Sequence, residues 1–155
     1  MSTHAEKRVL PHRPDQLFDL VADVEKYPEF LPWCVAARVR SRDDCVLVAN
    51  LVIGFKGIRE GFTSRVTLDR AAMKIQVTYE NGPFKYLNNH WKFEDDGAGN
   101  CLLDFYVDFE FRSRLLQRVI EVLFNEAVRR MVGAFERRAA ELYGSAPPPA
   151  PAARN

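Results

Sequence analysis

Hydrophobic and polar positions keep two different periods along this chain. Most of residues 34–111 alternate with a period of two, the run 45–53 being apolar on both faces, whereas from Ser113 to Tyr143 apolar positions recur every three or four residues. The first pattern predicts consecutive strands: 34–42 and 45–53 separated by Asp43-Asp44, then a run from Ile58 after a turn at 54–57. That run puts Ile58, Glu60, Phe62, Ser64, Val66 and Leu68 on one face. Strands at 73–79, 84–94 and 101–111 follow, divided by Asn81-Gly82-Pro83 and by the polar turn 95–100. In the last strand Leu103, Phe105, Val107, Phe109 and Phe111 face inward. The second pattern predicts one helix over 113–143, its apolar face drawn from Leu116, Ile120, Leu123, Ala127, Met131, Phe135, Ala139 and Leu142. Such a helix is about 45 Å long at 1.5 Å per residue, and only the strands offer a partner of that length. An antiparallel meander wrapped around one helix is an α+β fold, and the incompletely closed space between the two layers is where a ligand is expected.

Ahead of the meander, residues 4–10 read as a strand ended by Pro11, and 15–23 as a short helix burying Leu17, Phe18, Leu20 and Val21. Next comes Tyr27-Pro-Glu-Phe-Leu-Pro-Trp33, where two prolines forbid a regular helix. Tyr27, Phe30, Pro32 and Trp33 then form a stiff aromatic loop at the mouth of the expected cavity, a geometry that loses little entropy on binding. After Tyr143 the Pro- and Ala-rich composition predicts a disordered tail over 144–155, leaving 1–143 as the single domain.

Polar residues that interrupt inward rows are the candidate ligand contacts. In the strand 84–94 the pleat puts Lys85, Leu87, Asn89, Trp91 and Phe93 on one face, and Leu87, Trp91 and Phe93 mark that face as inward. Glu60 falls between Ile58 and Phe62, and Asn50 between Val48 and Val52. A buried amide or carboxylate costs a few kcal/mol unless hydrogen-bonded. Each of these groups therefore meets a ligand, bonds a neighbour, or is turned outward by a bulge.

Composition removes several alternatives. A net charge of +1 on 155 residues does not suit a strongly basic DNA-binding protein. No apolar run approaches the roughly 18 residues that cross a bilayer, and the first eight residues lack the apolar core of a signal peptide. The expected location is the bacterial cytoplasm, or a processed organellar form, with peripheral contact at the inner membrane. Cys34, Cys45 and Cys101 form no CxxC pair and predict buried or half-buried free thiols. His4, His12 and His90 lack metal-ligand spacing. No nucleophile elbow or phosphate-binding glycine loop is present, so no catalytic residue is assigned.

Four ordered segments carry a family resemblance: Tyr27–Cys34, Gly57–Val66, Gly82–Phe93 and Phe124–Phe135. Together they resemble the coenzyme Q-binding proteins of the START-like, polyketide cyclase-related superfamily, over about residues 4–143. The same bacterial branch holds the ribosome association toxins, and the motifs do not separate the two. The resemblance implies a helix-grip fold and a non-catalytic role, binding ubiquinone or a similar prenylated lipid in support of respiration or quinone synthesis. It ties quinone binding to a Leu-x-x-x-Trp pair, matched here by Leu87 and Trp91. Ubiquinone is then a bound ligand and not a catalytic cofactor. Two alternatives stand beside it: a protein that binds the large ribosomal subunit, and a cyclase or aromatase, which would need a titratable pair in the cavity, where Glu60 alone is a poor candidate. A pocket of about 300–1,000 Å³ holds a quinone ring and a few prenyl units. The remaining tail needs a partner, a dimer or the membrane, which the arginines of the long helix are suited to touch where lipid is anionic.

Overall fold

The computed structural model describes residues 2–55 and 57–144. Seven strands form one antiparallel sheet in the order β1-β7-β6-β5-β4-β3-β2. They are β1 (Ser2–Leu10), β2 (Cys34–Arg42), β3 (Val46–Phe55), β4 (Ile58–Asp69), β5 (Lys74–Asn81), β6 (Phe84–Asp95) and β7 (Cys101–Phe111). Helix α1 spans Pro14–Ala22, a 3₁₀ helix Val24–Glu29, and α2 runs from Arg114 to Tyr143. From β2 to β7 every strand pairs with its successor, as the alternating hairpins predict. The exception is β1, which returns to the last strand and pairs with β7 from Ser2↔Phe109 to Leu10↔Cys101. The result is the α+β, START-like arrangement, a curved sheet gripping one long helix.

Turn chemistry decides where the strands bend. Gly82 has φ 145°, and a Cβ there would stand 2.5 Å from the Phe62 Cβ, so only glycine lets the β5–β6 turn lie on β4. Helix α2 opens with the Ser113 hydroxyl accepting from the Leu116 amide. Its buried residues are Gln117, Phe124, Val128, Val132, Ala134, Phe135 and Ala139, with Leu116, Ile120 and Met131 packed along their flank. This buried side is rotated slightly from the expected stripe, and Leu142 is exposed. Gln117 explains part of the rotation. Its side-chain oxygen accepts the Phe111 amide at 2.9 Å, completing the last backbone bond of β7, and its amide donates to Glu121 at 3.0 Å.

Three further expectations are corrected. The prolines of the 27–33 loop prevent an α-helix but not a 3₁₀ turn, which carries Pro28 inside it. Leu47 and Ala49 are fully buried, so Asn50 lies on the outer face of β3, where the Thr63 hydroxyl donates to its Oδ1 at 2.8 Å. A bulge between Phe84 and Tyr86 turns Lys85 outward, where it pairs with Glu110 at 2.9 Å. The same bulge brings both Phe84 and Leu87 to the concave side. The expected tail lies, apart from Gly144, outside the described residues.

Candidate functional site

Aromatic side chains fill the concave face of the sheet at both ends and leave a gap between them. At one end α1 drops Phe18 onto Phe93, with ring centroids 5.8 Å apart, and neither ring sees solvent. At the other, Phe84 stacks on Phe111 at 4.8 Å and meets Phe62, Tyr79 and Phe109 edge-on at 5.3, 5.4 and 5.6 Å. The gap is a cavity of about 250 Å³. Its sheet wall is Leu51, Ile53, Phe62, Ser64, Val66, Ile75, Val77, Leu87, Asn89, Trp91, Phe105 and Val107. Met131 and Phe135 of α2 roof it, and Val21, Val24, Tyr27 and residues 31–34 close the side.

Six of the nine expected ligand-site residues therefore border one space: Leu87, Asn89, Trp91, Tyr27, Pro32 and Trp33. Phe93 does not, because α1 seals it into the core. Phe30 packs behind the wall, 5.2 Å from Phe135 and 6.0 Å from Tyr27. Glu60 is on the concave parity but off the cavity lining, and no described residue pairs with its carboxylate. Of the apolar face expected on α2, Met131 and Phe135 border the cavity, with Phe135 5.1 Å from Trp91, and Leu116, Ile120 and Leu123 do not.

The polar groups within this lining are almost all spoken for. The Trp91 indole N–H donates to Asn89 Oδ1 at 2.9 Å, and Asn89 Nδ2 donates to the Tyr106 carbonyl at 2.8 Å. This relay removes the cost of burying an amide beside an indole. The Tyr27 hydroxyl donates to the Val21 carbonyl, and burial pushes its pKa up, with the nearby Cys34 and Asp23 charges adding to the shift. Cys34, at the rim, has its thiol pushed up to about 11 by burial. Ser64 is different. Its side chain is 1% exposed, it faces the cavity, and its hydroxyl bonds to no described residue. Sequence reading placed Ser64 inward but passed over it, since a serine in a strand carries no signal of its own.

The aromatic loop is tied down from behind. Arg138 of α2 reaches Glu29 with Nη2 at 2.5 Å and lies 5.2 Å over the Phe30 ring. Its buried Nε has no hydrogen-bond partner among the described residues. Cys34, Cys45 and Cys101 are free thiols, and Cys45 is exposed, against expectation, because it sits in the β2–β3 turn. Among the described residues no three His, Cys, Asp or Glu side chains are grouped to hold a metal, and no helix is long and apolar enough to cross a membrane.

Comparison with known proteins places these features beside several relatives. The family model described as "Polyketide cyclase / dehydrase and lipid transport" matches residues 10–136. Ribosome association toxin RatA of Rickettsia prowazekii is 38% identical over 145 residues, covering 92% of this chain and 99% of its own. The mitochondrial coenzyme Q-binding protein COQ10 homolog B of Xenopus laevis is 35% identical over 144 residues, covering 91% of this chain and 59% of its own. Among solved structures, an 18 kDa protein of Caulobacter crescentus is 38% identical with a TM-score of 0.76, covering 94% of this chain and all of that one. An aromatase/cyclase from a Streptomyces species superposes with a TM-score of 0.78 at 18% identity over 89% of this chain and 93% of its own, which is a likeness of fold.

Proposed function

We propose that this chain, which belongs to the polyketide cyclase / dehydrase and lipid transport family, is a non-catalytic carrier of a prenylated quinone of the ubiquinone type. The observation that supports this most is the cavity itself: hydrocarbon and aromatic walls, a self-satisfied Asn89–Trp91 relay, and one unpaired hydroxyl at Ser64. A hydroxyl without a partner in such surroundings favours a ligand that is apolar apart from an oxygen to bond. A quinone ring has that character. At about 250 Å³ the space is below the usual ligand-pocket range of about 300–1,000 Å³, so it takes a ring and a short stub of tail. The name of the Xenopus relative points to the same ligand.

The test is organic extraction and mass spectrometry of protein purified from its native source. Quinone should accompany the wild type and be lost from Trp91→Ala and Leu87→Ala. Extracts free of quinone, together with no binding of added short-tail ubiquinone, would overturn the reading.

A second reading rests on the 38% identity to ribosome association toxins of Rickettsia prowazekii and Pseudomonas aeruginosa. Cosedimentation with the large ribosomal subunit that survives Leu87→Ala and Trp91→Ala would favour it. A cyclase or aromatase needs a titratable pair facing the substrate, and Glu60 lies off the lining. Turnover of a polyketide-like substrate that disappeared in Glu60→Gln would restore that reading.

A further inference from the structure

The two halves of α2 differ in what they leave uncovered. Toward the carboxyl end its acids are matched by cations: Glu136 meets Arg8, Glu141 meets Arg138, and Glu126 meets both Arg129 and Arg130. Toward the amino end cations are in excess: the acid Glu121, held below its usual pKa first by the Gln117 hydrogen bond, also feels the Arg118 charge, but no salt bridge joins the two. Arg112, Arg114 and Arg118 line one shallow hollow with Lys85 and Glu110, and none of the three arginines is ion-paired with a described residue. Arg112 uses its Nε on the Phe84 carbonyl at 2.9 Å and keeps its charge. No acid stands in the first turn of α2, although the helix dipole favours one there.

Beside these cations are the two most exposed large aliphatic side chains among the described residues, Val122 at 83% and Leu115 at 70%. Seven residues apart on a helix, they lie on one face, with the half-buried Val119 between them. We propose that this amino-terminal face of α2 docks on the surface of an anionic phospholipid bilayer. The guanidinium groups meet lipid phosphates while Leu115 and Val122 enter the boundary between headgroups and acyl chains. Charge complementarity would also suit RNA. A phosphate backbone, however, offers nothing to a valine and a leucine projecting into solvent, so the pairing of charge with aliphatic side chains favours lipid. The sequence spreads its basic residues over the whole helix; Arg137 near the carboxyl end also has no ion pair among the described residues, but the exposed Leu115 and Val122 stand beside the amino-terminal arginines. The proposal stands apart from the quinone reading, because it does not involve the cavity.

The test is flotation or sedimentation of the full chain with phosphatidylcholine vesicles, with and without phosphatidylglycerol. Binding should require the anionic lipid. The pair Arg114→Gln and Arg118→Gln should weaken it roughly 25-fold, at about fivefold per charge. The pair Leu115→Ser and Val122→Ser should weaken it by about tenfold even at low salt. All four positions are exposed, and unchanged thermal unfolding would show that the fold survives. No binding to anionic vesicles, or equal binding to neutral ones, overturns the proposal. So does ribosome cosedimentation that the arginine pair abolishes and the aliphatic pair leaves intact, which would assign the phosphates to RNA. A chain that binds vesicles yet carries no quinone would leave this docking face standing and remove only the ligand reading.

Discussion

Trp91 and Phe93 sit two residues apart on the same face of β6, and only Trp91 borders the cavity. Phe93 is 1% exposed against Phe18, while Trp91 touches Phe105 at 4.7 Å on one side and lines the gap on the other. The difference lies in the element opposite. Helix α1 is short and close, so its Phe18 reaches the sheet. The middle of α2 presents Met131 and Phe135 instead, and these do not fill the distance to β3, β4 and β5. Sequence parity alone sees two equivalent aromatics. What separates them is which helix passes overhead.

The largest effect that sharpens this contrast is on stability. Phe93→Ala should lower unfolding free energy by about 3–5 kcal/mol, read by denaturant titration, while the folded fraction keeps its ligand affinity. A Phe93→Ala protein that lost affinity at full folding would make Phe93 part of the site. The converse change fills the gap: Val77→Phe projects a ring into the cavity opposite Asn89. It should cost at most the about 1–3 kcal/mol of an overpacked core and reduce quinone binding by two orders of magnitude or more, on the order of a fully lost ring contact. Unchanged binding would place the ligand elsewhere.

Cys34 gives a probe of occupancy at the rim. With its thiol pushed up to about 11, alkylation should speed up about tenfold per pH unit toward that value, because only the thiolate reacts. Bound quinone should slow it at every pH, with exposed Cys45 as the unprotected control. Smaller still is the latch behind the loop. Glu29→Gln removes a partner that is half exposed, so at most about 1 kcal/mol of stability is at stake, yet ligand dissociation should quicken as Phe30 loosens. Ser64→Ala should weaken quinone binding by about three- to tenfold, the range of one hydrogen bond, and leave a hydrocarbon probe of similar shape unaffected. Equal losses for both probes would reduce Ser64 to a packing residue.

Strand identity was legible because alternation in β5 and β7 leaves no other solution. Where one residue is added, the reading fails: the bulge after Phe84 reversed Lys85, and β3, apolar on both faces, gave Asn50 no reliable side. The roof of the cavity was legible only in part. Phe135 and Met131 were on the expected stripe, but Gln117 joins the buried face through a hydrogen bond that hydropathy does not record. Of the cavity-lining residues, Leu87, Asn89 and Trp91 were placed inward by parity, which could not set Phe93 apart from them. Glu60 and Phe30 do not border the gap, and the Arg138 contact behind Phe30 has no local sequence signature.

The return of β1 to β7 has a consequence for the order of events in synthesis. As the chain emerges amino end first, β1 must remain without its sheet partner until residues 101–109 have been made. The roof residues Met131 and Phe135 come later still. Pairings across such long separations form slowly, and an unpaired strand is exposed to aggregation while it waits. The chamber therefore has no existence on a partial chain. Any loading of the cavity would be an event in the life of the finished molecule, and a truncation before Met131 would leave the sheet without its roof.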